Sequence, residues 1–258
     1  ENITFDGNKE NQSNRLDTLY LVAEEVNIIN CRFINTIKNG VFINATKLVR
    51  IINCSFEDMA EHSGVSGETS KAIYIEGTGC EAIIENNYFE TQTPSVPGRA
   101  AGGISVSGTL PSTIIKNNIF KGIGQYSNNN FIGCIDLYTN GDKSIITGNK
   151  FYNYRYVPLK LQNSGDVICS DNIVDGANNE QANQGLVYQP ASRGSTPAKY
   201  NAIIKNNIIK NTLVNTGMTI NGDSTTYTKN IELSGNILEG VARAIHIRYV
   251  DGNTIVSD

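Results

Sequence analysis

A seven-residue word, IIKNNIF at Ile114–Phe120, returns almost unchanged as IIKNNII at Ile203–Ile209. Weaker copies stand at Ile83–Phe89, Ile145–Phe151, Cys169–Val174 and Glu232–Leu238, and Ile28–Phe33 and Ile51–Phe56 carry Cys where the others carry Asn. Thr4–Asn8 reads as an opening copy. Such recurrence excludes most folds, because each repeat must bury its apolar face against its neighbours. The Asn/Cys column reads Asn8, Cys31, Cys54, Asn87, Asn118, Asn149, Asn172, Asn207 and Asn236, at spacings of 23 to 35 residues. Two residues further on stands an apolar column, Phe33, Phe56, Phe89, Phe120, Phe151, Val174, Ile209 and Leu238. Three residues before it stands another, Phe5, Ile28, Ile51, Ile84, Ile115, Ile146, Cys169, Ile204 and Leu233.

A second short strand follows each copy, a small residue and then apolar, variable, apolar. Its copies begin at Thr18, Gly40, Ala72, Gly103, Cys134, Pro158, Gly185, Gly217 and Ala244. Alternation over so short a span is a strand with one buried face. Asn, Gly, Ile, Ser and Thr are conspicuous, Trp is absent and Pro occurs only six times, a composition for strands and turns and not for a helical bundle. The expected fold is therefore all-β, a parallel β-helix solenoid of about nine coils filling residues 1–258 as one domain. The ladder Asn is expected to take the left-handed turn and to hydrogen-bond along the column.

The formal charge is −4 with no basic block, which argues against a nucleic-acid partner. No apolar run approaches the length of a membrane span and no signal peptide is visible. The five cysteines lack metal spacing; Cys31, Cys54 and Cys169, inside repeat strands, are expected to be small buried thiols, with no disulfide between Cys31 and Cys54. No cofactor is expected. The first residues already belong to a repeat, and Asn253–Asp258 reads as the opening of a further coil, so a fragment of a longer chain without end caps is expected.

These registered repeats resemble the right-handed, single-stranded β-helix of the pectate-lyase-like superfamily. The resemblance covers the whole chain; among its members the chain is most similar to bacteriophage tailspike depolymerases. It implies a groove for a bacterial surface polysaccharide along the outer face of the second strand, a homotrimer, and a location on a virion tail or outside the cell. The outward positions of that strand are Tyr20/Val22, Phe42/Asn44, Tyr74/Glu76, Ser105/Ser107, Asp136/Tyr138, Lys160/Gln162, Val187/Gln189, Thr219/Asn221 and His246/Arg248. Long loops precede three adjacent copies, at 57–71, 90–102 and 121–133, and long loops on a rigid scaffold are commonly functional.

Glycoside hydrolysis needs two carboxyl groups across the scissile bond. Glu76 and Asp136 are the carboxylates of the outer face, two coils and two residues apart, which sets their Cα atoms about 12 Å apart. Glu57, Asp58, Glu61 and Glu90 are alternatives in the neighbouring loops. Tyr74, Ser105, Tyr138, Lys160, Arg99 and His62 are the expected substrate contacts. Elimination from a uronic acid would use Lys160 or Arg99 to neutralise the sugar carboxylate and Tyr74, Tyr138 or His62 as base. The superfamily's Ca²⁺-dependent lyases cluster acidic residues beside an Arg; here Asp136 has Ser105 and Lys160 as its column neighbours, so no metal is assigned. A non-catalytic adhesin is the third alternative.

Overall fold

The computed structural model describes residues 1–8, 11, 16–59, 70–91, 102–123, 125–127, 130–139, 141–154, 156–163, 165–176, 182–189, 200–212, 215–221, 228–248, 250 and 252–257. The strands stack in parallel as a β-solenoid. A nine-stranded sheet carries the short segments such as Arg32–Ile34, Tyr88–Glu90 and Ile119–Lys121, and a second, longer sheet carries the remaining stacked strands. Within the longer sheet, the strands Leu19–Ile29 and Val41–Ile52 each run through two positions of the coil. From Val41–Ile52 two columns diverge, one through Lys71–Thr78 and one through Glu81–Glu85. An antiparallel pair, Gln125–Ser127 with Asn130–Ile132, stands outside the stack.

The repeated word is thus two strands, not one. Ser112–Lys116 belongs to the longer sheet and Ile119–Lys121 to the shorter. The doublet between them has two separate jobs. Asn117 turns the chain at φ 56°, a left-handed conformation that Asn tolerates better than most residues. Asn118 does not appear among the positive-φ positions and is fully buried. The expectation that one Asn does both is corrected. Left-handed residues recur just before the ladder at Asn53, Asn86, Asn117, Gly148, Asp171, Asn206 and Gly235.

The ladder hydrogen-bonds in one repeating pattern. The backbone N–H and Nδ2 of Asn87 both donate to Asn118 Oδ1, at 2.9 and 3.0 Å, and Asn118 does the same to Asn149. The second Nδ2 proton of Asn118 reaches back to the Ile84 carbonyl at 3.0 Å. Every side-chain donor and acceptor of such a rung is used, which makes a buried amide column tolerable. At the first end Cys54 accepts from the Cys31 N–H at 3.4 Å, and both thiols are free.

Ile28, Ile51, Ile84, Ile115, Ile146, Cys169, Ile204 and Leu233 are in register. The phenylalanines stack face to face, centroids 4.5 to 5.0 Å apart from Phe5 to Phe151. Phe5 pairs with Phe33 and not with Ile28, so the opening copy is displaced from its expected alignment. Asn8 is exposed, at φ 49°, and lies outside the ladder. Two of the glycines that open second strands back onto this stack: a Cβ on Gly103 would lie 2.3 Å from the Cys134 carbonyl oxygen and 2.7 Å from Phe120 Cε1, and one on Gly40 would lie 3.1 Å from Phe56 Cδ1.

Candidate functional site

The outer face of the second strand is one continuous line. Tyr20, Phe42, Tyr74, Ser105, Asp136, Lys160, Val187, Thr219 and His246 pair coil to coil in that order. Alternation places them opposite the buried Ile and Leu residues on either side. The line changes character as it climbs. Tyr20, 60% exposed, stacks on Phe42 at 5.0 Å, and Phe42 meets Tyr74 edge-on at 5.1 Å. Beyond Tyr74 the face closes: Ser105 and Asp136 are buried although their side chains point away from the core.

Asp136 is the centre of the closed part. The coil that carries it folds back, so that the Gly133 N–H donates to its Oδ2 at 3.2 Å. Lys71, from two coils away, donates to the same oxygen at 3.4 Å. Lys71 opens the strand Lys71–Thr78 and pairs in register with Gly102. The intervening coil therefore has no side chain at that position. Asp136 Oδ1 is buried with no hydrogen-bond partner, and Lys160 Nζ stands 4.0 Å from it. Lys160 instead donates to Tyr138 Oη at 2.6 Å. Burial pushes the Lys71 ammonium below its usual pKa, while the Asp136 charge opposes that shift. Two ammoniums thus face one carboxylate where solvent is nearly excluded, and buried charges of this kind need partners.

Glu76 stands in the parallel outward column, exposed, in register with Asn44 and Ser107. Tyr138 follows Ser107 in that column, so Glu76 and Asp136 are two coils and two residues apart, as their sequence spacing predicts. The Tyr74 hydroxyl is hydrogen-bonded to Ser107; burial first, and the Glu76 charge second, push its pKa upward.

The structure thus brings Tyr74, Glu76, Ser105, Asp136, Tyr138 and Lys160 onto one face. His62, Arg99 and Glu61 lie outside the described residues. Glu57 and Glu90 belong to the shorter sheet. Glu57 accepts two bonds from Arg32, at 3.0 and 2.6 Å, and Glu90 accepts from Tyr88 at 2.5 Å. They are engaged on another sheet and are poor substitutes for Glu76. His246 Nε2 accepts from Arg248 Nε at 2.8 Å; slight desolvation and the two neighbouring arginines lower its pKa. Among the described residues no three His, Cys, Asp or Glu side chains converge as metal ligands. Sequence reasoning missed Lys71, which it counted with the preceding loop. The available signal was a cation immediately before an apolar-alternating strand whose neighbouring copy begins Gly102–Gly103.

By its fold the chain is a parallel β-solenoid with an Asn ladder and one chemically mixed outer face. Comparison with family models, with curated proteins and with solved structures gives no match for it.

Proposed function

We propose that the outer face of the second strand binds a bacterial surface polysaccharide along the solenoid axis and cleaves it by glycoside hydrolysis. The observation that carries this is the in-register line from the Tyr20–Phe42–Tyr74 aromatic ladder to the Asp136 cluster. Because Tyr20 stacks on Phe42 and Phe42 meets Tyr74 edge-on, the ladder offers a sugar chain a continuous apolar strip along the axis, at a regular spacing of about 4.8 Å per coil. The polar cluster supplies the few convergent groups that fix orientation.

Glu76 and Asp136 are the proposed carboxyl pair. Their environments differ: Asp136 is buried and ion-paired with Lys71, whereas Glu76 is exposed. Such asymmetry separates the roles of an acid and a base. Cα atoms about 12 Å apart leave room for carboxyl groups at an inverting separation. Glu76→Gln and Asp136→Asn are each expected to lower the release of reducing ends from capsular polysaccharide by about 100-fold or more, with the fold retained. Full activity in both variants rejects the pair.

A second reading, elimination from a uronate, is favoured by the 2.6 Å bond between Lys160 and Tyr138, which joins a cation to a hydroxyl that can move a proton. It predicts ultraviolet absorbance from an unsaturated uronate accompanying the new reducing ends, whereas hydrolysis gives reducing ends without that absorbance. Binding without either product identifies an adhesin. The wider assignment, a homotrimeric tailspike-type depolymerase on a virion tail or outside the cell, rests on the sequence resemblance and is checked by the mass in solution.

A further inference from the structure

We propose that the outward face of the strands Glu81–Glu85, Ser112–Lys116, Lys143–Thr147, Asp166–Ser170 and Tyr200–Lys205 binds a second copy of this chain, with the two solenoid axes antiparallel. The inference goes beyond the polysaccharide reading, does not depend on it, and departs from the homotrimer that the sequence resemblance implies.

These strands carry the first half of the repeated word, and their outward file is separate from the one that holds the candidate site. Arg50, Ile83, Ile114, Ile145, Ile168, Ile203 and Glu232 pair coil to coil in that order. Each of these isoleucines stands one residue before a buried residue of the core and is itself partly exposed. The five form an apolar strip about 19 Å long, and the two charges stand about 29 Å apart. Beyond the charges the file continues as Asn27 and Ile255. β-Branched side chains suit a sheet surface, which accounts for the isoleucines one by one. It does not account for an apolar run closed by a cation at one end and an anion at the other, with Ile145 at its midpoint.

A two-fold axis along the strand direction at Ile145 makes this file its own complement. Ile145 meets Ile145, Ile114 meets Ile168, Ile83 meets Ile203, and Arg50 of each copy meets Glu232 of the other. The next outward file, Glu85, Lys116, Thr147, Ser170 and Lys205, obeys the same operation. Glu85 of each copy meets the exposed Lys205 of the other, and Lys116, paired within its own chain to Glu85 at 3.1 Å, meets Ser170. On the opposite flank Ser112 meets Asp166, and the exposed Lys143 meets its own counterpart, with Asp166 as its register neighbour. Four opposite-charge meetings thus stand against one like-charge meeting. Parallel copies reverse this balance. Residues then meet at equal height, so that Arg50 faces Arg50, Glu232 faces Glu232 and Glu81 faces Glu85. A threefold arrangement shares that fault. Like charges set against each other across an interface are strongly disfavoured. A strip of this size belongs with small, reversible interfaces, so the pair forms as concentration rises.

The experiment is sedimentation equilibrium of the 258-residue chain from micromolar to near-millimolar concentration, where a monomer–dimer equilibrium is expected. Arg50→Glu and Glu232→Arg each weaken self-association about tenfold or more. An equimolar mixture of the two variants associates about as strongly as wild type, because each chain of the mixed pair meets opposite charge at both ends of its file. Ile145→Arg sets two cations together on the two-fold axis and gives a folded monomer with a cooperative urea transition. A wild-type chain that stays monomeric throughout overturns the proposal and leaves the strip to another occupant, and a trimer overturns it in favour of parallel copies. Tighter association of Arg50→Glu with wild type than of wild type with itself is the signature of parallel copies and also overturns it. A dimer that survives Ile145→Arg in a folded chain does the same. If Ile145→Arg does not fold, the mixing experiment decides on its own: a mixture no tighter than either charge variant alone rejects the antiparallel pair.

Discussion

The Asn ladder and the outer column climb the same coils at the same spacing, and they obey opposite rules. In the ladder one residue type recurs six times from Asn87 to Asn236, and each amide uses the next as its acceptor. In the outer column Tyr, Phe, Tyr, Ser, Asp, Lys, Val, Thr and His follow one another with a single recurrence. Buried acceptors without partners stand on that face at Asp136 Oδ1, Gln162 Oε1 and Thr219 Oγ1. Repetition marks positions where each coil meets the same demand from its neighbour. Loss of repetition marks positions where the scaffold demands nothing of the residue, so that its identity answers to something other than folding.

The comparison breaks most sharply at the interior stack. Phe120→Asp inserts a charge between Phe89 and Phe151 and is expected to cost about 5 kcal/mol or more, read as loss of a cooperative urea transition. Tyr20→Ala, on the outer face, should change stability by less than about 1 kcal/mol and weaken polysaccharide binding instead. The reverse result would mean that inside and outside have been exchanged.

Next in size is the ladder. Asn118→Ala takes the acceptor from the Asn87 N–H and Nδ2 and the donor from the Ile84 carbonyl. Orphaning these buried groups should cost about 3 kcal/mol in urea unfolding. The smallest effect belongs to the exposed Arg32–Glu57 pair on the shorter sheet. The Arg32 guanidinium holds the Glu57 pKa below its usual value, by hydrogen bonding first. A carboxyl with a depressed folded pKa contributes stability above its unfolded pKa, near 4.3, and loses it as pH falls through the folded value. Glu57→Gln should therefore lower stability at neutral and alkaline pH by less than about 1 kcal/mol and leave it nearly unchanged below the folded pKa, which flattens the acid side of the stability profile.

What was legible in the chain is what recurs. The Ile and Phe columns, the ladder from Cys31 to Asn236 and the nine second strands are each repeated under one constraint, and their alignment predicts the observed register. The opening copy failed because TFDGN offers only one apolar residue, which matches two columns equally well; pairing of Phe5 with Phe33 decides between them. The Asn doublet was half read, since two adjacent asparagines carry different duties, a left-handed turn and a buried amide, and only geometry separates Asn117 from Asn118. Lys71 stayed hidden for another reason. Its partner lies 65 residues away, and the contact depends on what is missing from the intervening coil at Gly102.

The sheets and the ladder also differ in sense. Sheet bonds point both ways along the axis: the Asn53 N–H donates forward to Glu85, and the Ser55 N–H donates back to Cys31. The ladder's backbone amides all donate forward, from Cys54 into Asn87 and on to Asn236. Aligned bonds polarise one another, whereas opposed sheet dipoles largely cancel. The backbone bonds of the ladder therefore give the solenoid a single sense along its axis, which the second Nδ2 protons, donating back to the preceding coil, partly offset.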